Sequence, residues 1–119
     1  MKEEFYHNIR FEPAGKGLTP LLRVPALPNL RPDKGDVVAW CKERADGGRG
    51  FATTCGHFYD NWKNDDFRRL VLNAIAWTAH VEVPKEGVTS AYVEREGITE
   101  RCINNVTVPV AGSAAASRG

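Results

Sequence analysis

The chain lacks an excess of either charge and lacks a long apolar run. Its 119 residues carry 16 Lys and Arg against 15 Asp and Glu, which gives a net charge of +1. Without a basic cluster there is no electrostatic case for nucleic acid as a partner. No apolar run approaches the roughly 20 residues that cross a bilayer, and no apolar stretch follows the charged N-terminus as in a secretory signal. We therefore expect a cytoplasmic protein with no nucleic-acid and no membrane partner.

Cysteine and metal-binding motifs are scarce as well. The three cysteines, Cys41, Cys55 and Cys102, are an odd number without CxxC spacing. This pattern disfavours a disulfide framework and is typical of a reducing compartment. The histidines and carboxylates show no ligand spacing such as HExxH. The sequence predicts no metal site and identifies no cofactor.

The remaining pattern indicates one small domain that contains both strands and a helix. Its 42% apolar content is enough for a packed core. Apolar alternation and short apolar runs predict extended segments at residues 4–11, 19–24, 36–43 and 49–55. The turn residues Asp46, Gly47 and Gly48 favour an antiparallel hairpin over residues 36–55. Three prolines predict a surface connection over residues 25–35.

The strongest local pattern is a helix that begins after Asn64. Asn64 is a suitable N-cap, and Asp65 and Asp66 suit the positive end of the helix dipole. The spacing of apolar residues predicts one buried stripe, formed by Phe67, Leu70, Val71, Ala74, Ile75 and Thr78. Beyond residue 87 the pattern weakens, and we expect an extension of uncertain structure at 88–110 and a disordered tail at 111–119.

The residues best placed for chemistry are Gly56 and His57, between the predicted strand 49–55 and the helix. Ligands bind outside the carboxyl ends of strands in α/β sheets, and imidazole titrates near neutrality. The competing interpretation is a loop histidine that bonds to nearby backbone. Cys55 beside His57 suggests a nucleophile, but a packed thiol is the more ordinary role.

The acidic N-terminal segment supplies the second titratable group that acid/base chemistry needs. Glu4 is the best internal partner for His57, although neighbouring acids near a terminus are more often simply solvated. Whether residues 3–8 and 55–60 converge in space is what separates the two interpretations. The residues predicted to line a ligand pocket beside His57 are Tyr6, Asn8, Gly56, Asp60 and Trp62.

Several segments together resemble the C-terminal part of a ThuA-like (trehalose utilisation) domain. Glu-Glu-Phe-Tyr at 3–6 is similar to the family's Asp-Glu-x-Tyr segment, with Glu3 in place of Asp. The other matching segments are Val-Ala-Trp at 38–40, Gly-Arg-Gly-Phe at 48–51, Thr-Thr at 53–54, Gly-His-Phe at 56–58, Asp-Phe-Arg-Arg-Leu-Val-Leu-Asn at 66–73 and Ile-Ala-Trp at 75–77.

This resemblance implies an α/β fold of the flavodoxin-like, class I glutamine-amidotransferase-like kind, here a partial sheet with a C-terminal antiparallel hairpin and one main amphipathic helix. It also implies carbohydrate metabolism, and it places His57 on the family's Gly-His position. Because the family domain is about twice this length, residues 1–87 correspond to its C-terminal half.

Three functions follow as expectations from these observations. The first is a carbohydrate-acting enzyme with His57 and Glu4 at the site. The second is a carbohydrate-binding module without chemistry. The third is a structural module, since an uncovered sheet face favours a homo-oligomer or another partner.

Overall fold

The computed structural model describes residues 1–12 and 16–94 of the chain. They form a small α/β protein with strands β1 (Leu18–Arg23), β2 (Val37–Glu43) and β3 (Arg49–Thr53), a short 3₁₀ helix (Tyr59–Lys63) and helix α1 (Asp65–Thr78). The strands lie in the order β1-β2-β3, and both neighbouring pairs are antiparallel. Within the described ranges, no helix has the length and apolar character to cross a membrane.

The β2–β3 hairpin forms where the turn residues predict it. Cys41 lies opposite Phe51. In the turn, Asp46 accepts a hydrogen bond from the backbone N–H of Gly48 at 2.9 Å. Gly47 has a φ of +81°, which glycine adopts without steric cost. The predicted hairpin is therefore confirmed, with its second strand two residues shorter than expected.

The run predicted at 19–24 is strand β1, shifted by one residue. It forms an edge of the sheet and contains Pro20, and its pairing with β2 is irregular around Leu21. Proline and irregular pairing are both characteristic of edge strands. Residues 25–35 form turns without a strand or helix, as predicted.

The strand predicted at residues 4–11 is wrong, because no strand forms there. Asn8 has a φ of +57°, which interrupts an extended backbone. Its backbone N–H donates to Gly35 O at 2.8 Å, and its side-chain Oδ1 accepts from the backbone N–H of Arg31 at 2.7 Å. The segment is thus tied to a loop and not to a strand partner.

Helix α1 begins as predicted, with Asn64 Oδ1 accepting from the backbone N–H of Phe67 at 3.0 Å. Phe67 packs in a buried cluster with Val38 and Cys55. The prediction that Ile75 is buried is wrong, since 59% of it is exposed. Helix α1 packs against β3 and the 3₁₀ helix. This contact surface is narrower than the predicted apolar stripe, and Ile75 lies outside it.

Arg68 is the converse case, because it lies outside the predicted apolar stripe and yet only 8% of it is exposed. Its guanidinium donates to the carbonyl of Ser90 at 3.1 Å and also to that of Trp62, and it pairs with Asp65. Residues 88–94 thus pack against α1 without forming a strand. The rest of the predicted extension and the tail 111–119 lie outside the described residues.

Candidate functional site

The connection between β3 and the 3₁₀ helix holds His57, as the sequence predicts. The backbone N–H of Cys55 donates to Thr53 Oγ1 at 3.1 Å, which turns the chain at the end of the strand. Gly56 follows with a φ of +123°, a conformation that residues with a Cβ rarely adopt. This turn brings the His57 side chain to the surface, where 51% of it is exposed.

The N-terminal segment crosses this connection and places a carboxylate against the imidazole. Glu4 Oε2 lies 3.3 Å from His57 Nδ1. The same oxygen lies 3.4 Å from the hydroxyl of Tyr6, which donates to it. Residues that are far apart in the chain therefore converge, which is the geometry that the enzyme hypothesis requires.

This contact defines which nitrogen of His57 is available for chemistry. A carboxylate beside Nδ1 favours the tautomer with its proton on Nδ1, and the lone pair then lies on Nε2. In the described part of the chain, no hydrogen bond engages Nε2. An imidazole held in this way can accept a proton from a ligand at Nε2.

Glu3 is a residue that sequence reasoning did not assign to the site. Its Oε2 accepts from the backbone N–H of Gly56 at 2.6 Å and from Asn61 Nδ2 at 2.9 Å. Burial alone would raise the pKa of Glu3, but hydrogen bonds to its carboxylate, led by that from Gly56, outweigh this effect and lower the pKa. The local pattern gives no signal for this contact, because the partners lie more than 50 residues away.

The other predicted pocket residues do not all face His57. Asn8 donates its side-chain amide to Asn29 O at 3.0 Å and is engaged with the 29–35 loop. Asp60 forms an exposed ion pair with Lys63 at 3.1 Å. Trp62 packs edge-on against Phe67, with ring centroids 5.0 Å apart.

Two hollows involve residues predicted to line the site, and His57 lines neither of them. One, of about 410 Å³, is lined by Glu4, Phe5, Tyr6 and His7, and it meets the Glu4–His57 pair through Glu4. The other, of about 190 Å³, lies on the Trp62 side and is lined by Tyr59, Trp62, Arg68, Ala91, Tyr92 and Val93. Trp62 therefore lines a hollow whose lining includes neither Glu4 nor His57, whereas Tyr6 lies beside Glu4.

Cys55 has the properties of a packed thiol. It is buried, and burial raises its pKa, so the reactive thiolate is disfavoured. In residues 1–12 and 16–94, no group of three or more His, Cys, Asp or Glu side chains is arranged to hold a metal ion.

No family model, no curated protein and no solved structure matches the chain. The resemblance to ThuA-like domains therefore stays a prediction drawn from the residues that carry it.

Proposed function

We propose that the chain is part of a ThuA-like domain with a partial flavodoxin-like fold, and that it acts on a carbohydrate by proton transfer at His57. The proposal is supported by the 3.3 Å approach of Glu4 Oε2 to His57 Nδ1. A carboxylate that orients an imidazole is a recurrent arrangement for general acid/base catalysis.

In this proposal the two side chains have different roles. Glu4 stays ionised beside Nδ1–H and stabilises the imidazolium that forms when Nε2 takes a C–H proton from the sugar, while the bonding electron pair moves toward the adjacent carbonyl. Tyr6 donates its hydroxyl to the same carboxylate, which limits the rotation of Glu4. The exposed position of His57 leaves Nε2 accessible to a sugar C–H beside a carbonyl.

Loss of a sugar C–H signal in D₂O detects abstraction of that carbon-bound proton, whichever product forms afterwards. We would incubate the protein in D₂O with a panel of aldoses, ketoses and trehalose and follow the loss of sugar C–H signals by proton NMR. The proposal predicts exchange with at least one sugar and its loss in His57→Ala and Glu4→Gln. Glu82→Gln, at an exposed position after α1, is the matched control and should retain exchange.

A binding module without chemistry is the second candidate function. The exposure of both members of the pair, 51% for His57 and 55% for Glu4, favours it, because catalytic sites usually exclude water. Sugar-induced shifts of the Tyr6 and His57 NMR signals, with no exchange by the wild-type protein, would support binding alone and contradict the enzyme proposal.

A structural module that pairs with its own copy is favoured by the free edge of β3. Thr54 donates its backbone N–H to Val38 O at 2.8 Å, so the alternation of an antiparallel ladder directs the backbone groups of Arg49, Phe51 and Thr53 away from β2. In the described residues no strand pairs with this edge. An edge without proline or a bulge can pair with a second strand.

The sheet face that we expected to be open is partly covered within the chain itself. Phe11 packs edge-on against Trp40 at 5.0 Å, and Phe5, Val24 and Leu27 pack against the buried cluster. The edge of β3 is therefore the more suitable surface for association. Sedimentation equilibrium tests this function. A dimer supports it, and a monomer at about 100 μM contradicts it, because a dimer with a Kd of about 1 μM would be largely assembled at that concentration.

A further inference from the structure

Two consecutive carboxylates of the N-terminal segment meet two consecutive residues of the His57 loop. Glu3 Oε2 accepts the backbone N–H of Gly56 at 2.6 Å, and Glu4 Oε2 lies 3.3 Å from the side chain of His57. Glu3 Oε1 also accepts a hydrogen bond from the backbone N–H of Glu4 at 2.9 Å. This bond constrains the backbone at Glu4 and so the direction of the Glu4 side chain. The two contacts are therefore linked, because a movement of Glu3 also moves Glu4 relative to His57.

Asn61 connects Glu3 to the 3₁₀ helix. Only 7% of Asn61 is exposed, and its Nδ2 donates to Lys2 O at 2.7 Å as well as to Glu3 Oε2 at 2.9 Å. Its backbone is held inside the 3₁₀ helix, where its N–H donates to Phe58 O at 3.0 Å and its carbonyl accepts from Asn64 at 3.1 Å. The buried amide of Asn61 therefore holds the N-terminal segment through two hydrogen bonds, one to Lys2 and one to Glu3.

The contact between Glu4 and His57 does not hold itself in place. Both side chains are more than half exposed, and an exposed ion pair contributes little to the order of two side chains. Residues 1–8 form no helix or strand, so no regular backbone hydrogen bonds hold them in place. The three hydrogen bonds that join Lys2 and Glu3 to Gly56 and Asn61 supply that tie.

We propose that Glu3 is a positioning residue, and that with Asn61 and the backbone of Gly56 it forms a clasp that holds Glu4 against Nδ1 of His57. This inference rests on the proposed function for its catalytic meaning, but the clasp itself is a statement about the geometry of His57. Glu3 acts through Glu4 and does not touch the ligand.

The tautomer of His57 reports on the clasp directly. A neutral histidine ring, in mildly alkaline solution, shows its tautomer in its ¹⁵N chemical shifts. The wild-type ring should show the Nδ1–H form. Exposed His80, beyond the end of α1, serves as the internal reference for an unconstrained ring.

The variants Glu3→Ala and Asn61→Ala break the clasp from its two sides, since the first removes the acceptor and the second removes the buried donor. Each should move the His57 ¹⁵N shifts toward those of His80, and the double variant should move them no further than the larger single effect, because both break one linkage. Glu82→Gln should leave the shifts at the wild-type values. The backbone amide signals of buried Val37 and Val38 should persist in all variants.

Wild-type His57 shifts in both single variants would overturn the proposal, since Glu4 would then hold its place without Glu3. Loss of the Val37 and Val38 signals in both variants would overturn it as well, because the contact would then serve the fold and not the site. Neither readout uses activity. A protein that exchanges no sugar proton but shows the predicted shifts refutes the proposed function and retains the clasp.

Discussion

At the scale of the residue, the site depends on a few backbone and side-chain contacts, of which the turn at Gly56 is the first. Its φ of +123° redirects the chain after β3, and its N–H donates to Glu3. A Cβ at this position would meet Phe67 at 3.8 Å, which is an ordinary contact. The cost of a larger residue therefore comes from the backbone conformation and not from a clash.

Gly56→Ala should lower the free energy of unfolding by about 1 kcal/mol or more, because alanine at a positive φ is strained. Urea denaturation followed by circular dichroism measures this. Gly50→Ala is the matched control, since a Cβ there meets nothing within 4 Å, and it should be neutral or slightly stabilising. Equal stability of the two variants would contradict the assigned turn.

Glu3 also gives the protein a predictable response to acid. Its pKa is below the ordinary value of 4.5 in the folded state, so its contribution to stability is complete above pH 4.5 and is lost as pH falls through the lower folded pKa. The free energy of unfolding of the wild type should therefore fall more steeply below pH 4.5 than that of Glu3→Gln. Parallel pH profiles of the two proteins would refute this assignment.

At the scale of the element, α1 packs on the sheet with one face only, and Phe67 near its N-terminal end is its most buried apolar residue. Phe67, of which 5% is exposed, packs with Val38 and Cys55, whereas 59% of Ile75 is exposed at the margin of the packed face. The two residues belong to the same apolar stripe in sequence, yet only one is part of the core.

Phe67→Ala should cost about 3 kcal/mol or more of stability, because it leaves a cavity in a small core. Ile75→Ala, at an exposed position of the same helix, should change stability by less than about 0.5 kcal/mol. Chemical denaturation of the two variants at equal protein concentration makes the comparison. A similar loss in both would mean that α1 buries a different face.

The hairpin and the start of α1 could be predicted because their causes are local. Asp46 and Gly47 supply the turn, and Asn64 caps the helix within three residues. The strand at 4–11 could not be excluded, because alternation gives a period but does not identify a pairing partner. The burial of Arg68 could not be predicted, because its acceptors include the Ser90 carbonyl, which only the folded chain brings near.

In the candidate site, too, the features with local causes could be predicted and those that depend on distant residues could not. His57 could be found from its position between a strand and a helix, and Glu4 from its chemical type. The role of Glu3 and Asn61 could not, since their hydrogen bonds join residues 58 positions apart. Asn8 shows the opposite case, because it was predicted to line the site, but its side chain bonds to the backbone of Arg31 in a loop instead.

At the scale of the whole molecule, the described residues form a narrow sheet with one helix, an N-terminal segment and a loop around it. The fully buried side chains are few, with Val37, Val38 and Ala39 at the start of β2. Val38 O accepts the backbone N–H of Thr54, so the most deeply buried residues described lie next to the chain that leads into Gly56 and His57. The N-terminal segment is therefore held over this region by Glu3 and brings Glu4 to the histidine.

The nuclear Overhauser effect between the His57 ring protons and the Glu4 side-chain methylene protons tests this arrangement most directly. It needs only the wild-type protein in solution at neutral pH. We expect a clear cross-peak, because Glu4 Oε2 lies 3.3 Å from His57 Nδ1. Absence of that cross-peak, with His57 ring shifts equal to those of exposed His80, would contradict the pairing on which the proposed function depends.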